Sequence, residues 1–321
     1  VTDDSAVHPE LVTMGETLAL LSHPHTTPLR HAQTLSLGMG GSESNVAIGA
    51  ARLGVQTAWI GRVGSDELGE MVLRELRAEG VQTLSRVDPT RPTAVMLKAR
   101  RTSETTHVTY YRAGSAGSAL DPADIHPEVL KAAKIFHTSA ITPALSQSAA
   151  DSVYKGIEVC QESDTLVSVD LNYRRTLWSE ESARQEFRRL ASMADIVFAT
   201  VEEARIACDG AEVSALADEL AGLGGGRAVV KMGERGAVAS IDGQTYAVDP
   251  VPVHAVDSVG AGDAFAAGYL AATVQGLDTD STLHWAALMG AWAVSTHGDW
   301  HGLPNRAELL TLESPGDDVR R

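Results

Sequence analysis

Residues 257–268 read Asp-Ser-Val-Gly-Ala-Gly-Asp-Ala-Phe-Ala-Ala-Gly. Gly260, Ala261 and Gly262 put three small residues in a turn just ahead of an apolar helical run, Ala264 to Val274. Small residues in succession let backbone N–H groups converge on one concavity, and a helix start adds partial positive charge. The stretch therefore reads as a cradle for an anion. Asp263 stands where its carboxylate faces whatever the cradle holds. Like charges repel, so a carboxylate in that place has little structural use and a chemical role is favoured. Helix capping would explain an Asp after a loop. It would not explain the three small residues before it and Gly268 after it.

Outward from this turn, short apolar β-rich runs alternate with longer helical patterns. Core strands are expected at Leu11–Met14, Thr57–Ile60, Ala133–His137, Leu166–Asp170, Ile196–Ala199 and Ala228–Lys231. Helices are expected near 43–53, 66–79, 146–162, 180–192 and 201–223, then at about 262–276 and 281–296. Such alternation implies an α/β fold with a mostly parallel sheet and helices on both faces. Ligands in such sheets bind at the carboxyl ends of the strands. Residues 16–38 and 83–113 break the rhythm with alternating patterns such as Thr-Ala-Val-Met-Leu-Lys at 93–98 and His-Val-Thr-Tyr-Tyr-Arg at 107–112. They are expected to form a discontinuous β layer off the main sheet, within one domain spanning 1–321, that serves as a lid or a dimer surface. Residues 236–254 read as an antiparallel hairpin turning at Asp242-Gly243, and a polar tail begins near 312.

The chain has 321 residues, enough for a substantial core, with 44% hydrophobic and 21% charged residues. Its net charge of −16, from 26 basic and 42 acidic residues, argues against nucleic acid and anionic membranes as partners. A local cluster of Arg can still receive an anionic substrate. Cys160 and Cys208 are too few for a disulfide framework and read as buried small hydrophobes in a reducing compartment. The acidic, polar start of the chain is unlike a signal peptide, and no apolar run approaches the roughly 18 residues of a membrane span, so a cytoplasmic location is expected. His137, His254, His284, His297 and His301 lack the spacing of a zinc site.

A second glycine-rich segment, Gly-Met-Gly-Gly-Ser-Glu-Ser-Asn-Val-Ala-Ile-Gly-Ala-Ala-Arg-Leu-Gly, spans 38–54. Gly40 and Gly41 permit close approach of a ligand to the backbone, and Asn45 on the first turn of the following helix can hydrogen-bond hydroxyls. Read alone, the segment is equally an ordinary glycine turn before a core helix. It is not a dinucleotide fingerprint, because Glu43 falls where the third Gly should be, and the chain has no Walker loop.

Together, however, the two segments resemble the paired signatures of the ribokinase-like (PfkB) carbohydrate kinase family. One is a glycine-rich segment running into a helix; the other has the form Asp-Thr-x-Gly-Ala-Gly-Asp, with Ser258 here in place of Thr. Their separation of about 200 residues and the segment Gly-Ser-Asp-Glu-Leu-Gly at 64–69 fit the same pattern. The resemblance covers nearly the whole chain and implies a three-layer α/β/α sandwich with a mostly parallel central sheet and a small β-sheet lid. Three more segments look like those of 2-keto-3-deoxygluconate kinases: Tyr-Tyr-Arg-Ala-Gly-Ser-Ala-Gly-Ser-Ala-Leu at 110–120, Ser-Ala-Ile-Thr-Pro-Ala-Leu at 139–145, and Asp-Leu-Asn-Tyr-Arg-Arg-Thr-Leu-Trp at 170–178. The expected activity is ATP-dependent phosphorylation of that sugar acid at its C6 hydroxyl; the alternatives are fructose, ribose, a nucleoside or 2-keto-3-deoxygalactonate as substrate, or a non-catalytic sugar-acid sensor.

The resemblance implies that Asp263 is the base, with the Gly260, Ala261 and Gly262 amides stabilising the transferred phosphoryl group. It places Gly40, Gly41, Asn45, Tyr110, Arg112, Ile141, Arg174 and Asp299 at the sugar. An acidic sugar needs cations, and a guanidinium fork matches a carboxylate or a phosphate. Arg112 and Arg174 are therefore the residues expected to select a sugar acid, although surface ion pairs account for most Arg residues. Capping or loop closure explains Asp299 almost equally well. On the ATP side the resemblance implies Asn172, Arg174, Thr200, Lys231, Gly233, Gly236, Gly260 and Gly262. Glu203 is expected to organise water around Mg²⁺, and Asp257 to lie near a monovalent cation, K⁺. Two departures stand out: Thr200 where many relatives carry Asn, and Met96 where Tyr is expected. The implied partners are a sugar acid, ATP and a second copy of the chain docked through the lid.

Overall fold

The middle of the molecule is built from mostly apolar runs buried on both faces, as parallel strands covered on both sides require. The computed structural model describes residues 8–23, 25–100 and 106–311. The expected tail from about 312 lies outside them. The strands, in chain order, are β1 (Leu11–Met14), β2 (Leu18–His23), β3 (Ser36–Gly40), β4 (Thr57–Gly64), β5 (Gln82–Asp88), β6 (Val95–Arg100), β7 (Thr106–Tyr111), β8 (Ile135–Ser139), β9 (Leu166–Asp170), β10 (Ile196–Thr200), β11 (Arg227–Lys231), β12 (Ala237–Ile241) and β13 (Gln244–Val248). The helices are α1 (Ser42–Arg52), α2 (Glu67–Ala78), α3 (Pro127–Ala132), α4 (Ile141–Leu145), α5 (Gln147–Gln161), α6 (Glu180–Met193), α7 (Val201–Ala207), α8 (Val213–Leu223), α9 (Ala261–Val274), α10 (Thr279–Val294) and α11 (Arg306–Leu309).

Nine strands form the central sheet, in the order β13-β12-β11-β10-β9-β8-β1-β4-β5. The pairs from β11 across to β5 are parallel, and the hairpin β12–β13 is antiparallel. Alternate side chains along each strand enter opposite layers. Leu11, Ile135, Phe198 and Val229 pack with α1, α2, α9 and α10, whereas Val12, Phe136, Val197 and Val230 pack with α5, α6, α7 and α8. The result is the three-layer α/β/α sandwich expected. Strand order reverses at β1, which has β4 on one side and β8 on the other. The connections from β1 and β8 therefore diverge and open a crevice at their carboxyl ends.

A second sheet of four strands, in the order β3-β2-β6-β7, stands over that crevice. Three residues separate β1 from β2, and β3 runs almost directly into α1, so the chain rises from the main sheet and returns at one place. Leu18, Leu20, Ala94 and Met96 form its inner apolar cluster with Val108 and Tyr110.

The structure corrects several expectations. The start of the 83–113 segment is not part of the small layer: residues 83–88 belong to β5, which pairs in parallel with β4 at the edge of the main sheet. An edge strand has one covered side, and its half-exposed pattern imitates a free-standing ribbon. The second segment of the small layer thus begins at β6 rather than at residue 83. The helix expected over 201–223 is two helices, broken at 208–212, where Gly210 packs against the backbone of Leu216. The strand expected at Ala133–His137 lies two residues later, at Ile135–Ser139. At the hairpin turn, Asp242 and Gly243 both have positive φ, at 52° and 80°, matching the twist of a two-residue turn.

Candidate active site

The crevice encloses about 360 Å³ between the carboxyl ends of the strands, the start of α9 and the inner face of the small sheet. Of the residues expected at a site, Gly40, Gly41, Asn45, Tyr110, Arg112, Ile141, Asn172, Arg174, Thr200, Glu203, Lys231, Gly260, Gly262, Asp263 and Asp299 line it. Ala261, Asp257, Gly233 and Gly236 are not in the lining, and the Ala261 amide turns back to the carbonyl oxygen of Ser258 at 3.5 Å. Gly233 and Gly236 sit in the left-handed turn after β11, at φ 63° and 82°.

Gly260 precedes α9 with φ 81°, a region that favours glycine, and a Cβ there would lie 2.2 Å from the carbonyl oxygen of Asp299. The first N–H groups of any helix have no intrahelical acceptor, and here Gly262 and Asp263 face the crevice. Asp263 does not cap its helix. Its Oδ1 accepts a 2.8 Å hydrogen bond from Ser42 Oγ, and its Oδ2 accepts one of 2.8 Å from Asn45 Nδ2. The two glycine-rich segments therefore meet at this carboxylate. They can do so because α1 and α9 pack closely: a Cβ on Gly49 would lie 2.7 Å from that of Ala267. Burial pushes the Asp263 carboxyl up to about 6 against the lowering effect of its Asn45 and Ser42 donors. Asn172, in the left-handed region at φ 36°, donates from Nδ2 to Ser42 Oγ at 2.8 Å and so supports the same network.

Lys231, at the end of β11, donates to Asp170 Oδ2 at 2.6 Å, and its ammonium would lie 3.2 Å from a Cβ on Gly262. It thus stands beside the α9 turn. Burial alone would lower its pKa, but Asp170 and Glu203 outweigh burial and raise it, so it stays charged. Glu203 accepts from Tyr173 N at 2.8 Å and from Thr200 N at 2.7 Å, forming a capping box with Thr200 at the start of α7. Both of its oxygens are thus engaged, and Asp170 also accepts from Asn172 N at 3.2 Å. Such carboxylates suit water around Mg²⁺ better than direct ligation, which fits an ion that keeps several waters and rides on substrate phosphates. Among the described residues no group of three or more His, Cys, Asp or Glu side chains is arranged to hold a metal by itself.

On the opposite wall, charges come in compensated groups. Arg112 donates from Nε to Glu16 Oε2 at 2.7 Å and lies over the Tyr110 ring, while Ser115 Oγ donates to Glu16 Oε1 at 2.7 Å. Lys98 on β6 reaches Asp257 Oδ2 at 2.8 Å and Asp299 Oδ1 at 3.4 Å. Arg174 is different. Its Nη1 donates to the carbonyl oxygen of Tyr173 at 3.1 Å, and among the described residues no carboxylate forms an ion pair with it.

Sequence reasoning missed Glu16, Ser42, Glu43, Lys98 and Asp170 in this lining. Glu43 was read only as the residue that spoils a dinucleotide fingerprint. It is buried, accepts from Ser139 N at 3.0 Å and Ser139 Oγ at 2.5 Å, and is pushed up to about 7 chiefly by burial. The fold makes room for it at the Gly after β1: a Cβ on Gly15 would lie 2.2 Å from the Glu43 carboxylate, a pairing no local sequence pattern announces.

Comparison with known proteins agrees with this geometry. A family model described as pfkB family carbohydrate kinase matches residues 9–306. The 2-dehydro-3-deoxygalactonokinase of Haloferax volcanii is 35% identical, over 90% of this chain and 92% of its own length. The 2-dehydro-3-deoxygluconokinase of Bacillus subtilis is 32% identical, over 95% of each chain. An uncharacterized sugar kinase of Pyrococcus horikoshii, solved in complex with ATP, superposes with a TM-score of 0.82 at 27% identity, covering 94% of this chain and 97% of that one. The chain belongs to the PfkB family of carbohydrate kinases. It is a sugar kinase of ribokinase-like fold.

Proposed function

We propose that this kinase transfers the γ-phosphoryl group of ATP to the C6 hydroxyl of 2-keto-3-deoxygluconate (the 2-dehydro-3-deoxygluconate of the relatives' names). The carrying observation is a carboxylate at the α9 N-terminus, Asp263, held by two donors with Lys231 alongside. A carboxylate in an anion cradle repels a resting phosphate, but it can take a proton from a hydroxyl that attacks one. In the proposed step the sugar oxygen bonds to phosphorus as its proton passes to Asp263. The bond to the β,γ-bridging oxygen breaks, and its electron pair leaves with ADP. The transition state is loose, so the proton departs late and an ordinary carboxylate suffices. The α9 amides and Lys231 stabilise charge on the transferred group and on the phosphates behind it. Glu203 and Asp170 would hold water around Mg²⁺, which when bound would offset the phosphate charge.

The acidic sugar is supported by Arg174, a cation in the crevice with no carboxylate of its own. A second reading, the galactonate epimer, is favoured by the 35% identical relative of that specificity and by Met96, which puts an apolar side chain on the inner face of the small sheet. The test is ADP release with both 2-keto-3-deoxy acids, fructose, ribose and a nucleoside. We expect the gluconate acid to exceed every neutral acceptor by at least about 100-fold in kcat/KM. Preference for the galactonate acid would move the assignment to the epimer. Turnover confined to a neutral sugar would sink the sugar-acid reading, and binding without turnover would make the protein a sensor.

In this reading 1–321 works as one cytoplasmic kinase unit, and the four-stranded sheet is its lid. The lid's outer face exposes Leu37 (55%) and Tyr111 (64%), which suits a second copy of the chain. Sedimentation should show a dimer that Leu37→Asp with Tyr111→Ser converts to a monomer; a monomeric parent protein would remove this part of the proposal.

A further inference from the structure

Asp257 is where the family resemblance implies a monovalent cation, and its surroundings do not fit one. Its Oδ2 is bound by the Lys98 ammonium at 2.8 Å, and its Oδ1 accepts from Val259 N at 3.2 Å. The same ammonium lies 3.4 Å from Asp299 Oδ1. All three side chains are largely withdrawn from solvent, at 12% exposure for Lys98, 14% for Asp257 and 7% for Asp299.

Three connections meet at this ammonium. Lys98 belongs to β6, in the sheet that roofs the crevice. Asp257 shapes the turn leading into Gly260 through the Val259 amide. Asp299 packs its backbone against Gly260 from the other side, at the distance that excludes any Cβ there. The roof is thus tied by one charge to both segments that frame the start of α9. A second cation at Asp257 would have to displace the ammonium, which is covalently held at the site and needs no dissolved ion to reach it. Without Lys98, two carboxylates largely withdrawn from solvent would face each other across the crevice edge, and such a pair is costly unless compensated.

We propose that Lys98 is a positioning residue, a built-in cation that fixes the turn before α9 and couples its shape to closure of the roof, so that turnover requires no monovalent metal ion. The proposal rests on the kinase reading for its activity arm only. Removing the ammonium while keeping the stem length, as in Lys98→Met, leaves a cavity bounded by two carboxylates. A small monovalent ion can enter there.

The experiment compares the parent protein, Lys98→Met and Lys98→Arg in buffers whose only monovalent cation is N-methylglucamine, K⁺ or NH₄⁺, at constant ionic strength. Initial rates give kcat and KM for sugar and ATP, and thermal melting and amide exchange over residues 256–262 are read in parallel. The parent protein should keep its kcat within about twofold across the three buffers. Lys98→Met should lose about tenfold in kcat in N-methylglucamine, as expected for one charged contact that shapes the transition-state site, with ATP KM much less affected. K⁺ or NH₄⁺ should restore part of that loss, raise the melting temperature of this variant alone and slow its 256–262 exchange. Lys98→Arg should retain most of the parent turnover. Stimulation of the parent protein by K⁺ of tenfold or more, in rate or in protection of 256–262, would overturn the proposal. So would a Lys98→Met variant with parental kcat and exchange. If Lys98→Met does not fold, the cation series on the parent protein and on Lys98→Arg still decides. A parent protein that turns over no sugar defeats the kinase reading, while melting and exchange still test the cation role.

Discussion

Asp263→Asn should lower kcat by about 10²–10⁴-fold, the range typical of a positioned general base. The substitution keeps the shape of the side chain and removes its negative charge. Ser42 and Asn45 still lie within reach, Lys231 still stands beside the turn, and Gly262 at the start of α9 still lines the crevice. Positioning and electrostatic stabilisation of the phosphoryl group therefore survive, which sets a floor under the loss. ATP affinity, measured by calorimetry, should change little. It should even improve slightly, because one negative charge has left an anion site. The pH profile gives an independent reading of the same group. Burial holds the Asp263 carboxyl at about 6, above the ordinary carboxylate value. A base works only when deprotonated, so log kcat/KM for the sugar should be flat above that pH and fall with unit slope below it. Asp263→Asn should lose this acid limb. Glu43→Gln should keep it, because Glu43 bonds to Ser139 and not to the reacting hydroxyl. A variant with kcat within tenfold of the parent, or an acid limb that survives in Asp263→Asn, would remove Asp263 from the role of base.

Local features of this site were legible in the sequence, and pairings were not. The turn before α9 could be read because its signal is contiguous: small residues, then a carboxylate, then an apolar helix. The buried strands could be read because strands covered on both faces are short, β-rich and mostly apolar, even though they carry buried polar residues such as Thr13, His137 and Ser168. β5 was misplaced because an edge strand whose residues are mostly exposed or half-buried lacks the apolar run that marks a covered core strand. What holds Asp263 lies 221 and 218 residues earlier, at Ser42 and Asn45. The resemblance supplied both glycine segments, yet spacing alone could not say that they meet at one carboxylate. Arg112 shows the opposite failure. It lies in the crevice, as expected of a residue that selects a sugar acid, but Glu16, 96 residues away in sequence, takes its guanidinium. Whether a cation is free is a tertiary fact, decided by which carboxylate the fold brings to it. Lys98 was invisible for the same reason, since nothing local distinguishes it from any lysine on a strand.

The contrast between Arg112 and Arg174 leads to the second large effect. Removing the charge of Arg112 would leave Glu16, 3% exposed, as an unpaired buried carboxylate, so its loss would mix stability with binding. Arg174 has no such partner among the described residues, and Arg174→Gln reports more directly on the ligand. A hydrogen-bonded ion pair formed with substrate contributes about 1.5–3 kcal/mol, which corresponds to roughly 10–150-fold in rate. We expect kcat/KM for 2-keto-3-deoxygluconate to fall by about 100-fold in Arg174→Gln, mostly through KM for the sugar. Slow turnover of fructose, an uncharged ketose, should change by less than about threefold, because it offers no carboxylate to lose. Arg174 was also expected at the nucleotide, and the same measurements separate the two roles. A guanidinium on the ATP phosphates would raise KM for ATP equally with both acceptors, and one on the sugar carboxylate leaves it unchanged. Equal losses for the acidic and the neutral acceptor would therefore assign Arg174 to ATP and leave the preference for a sugar acid without its cation.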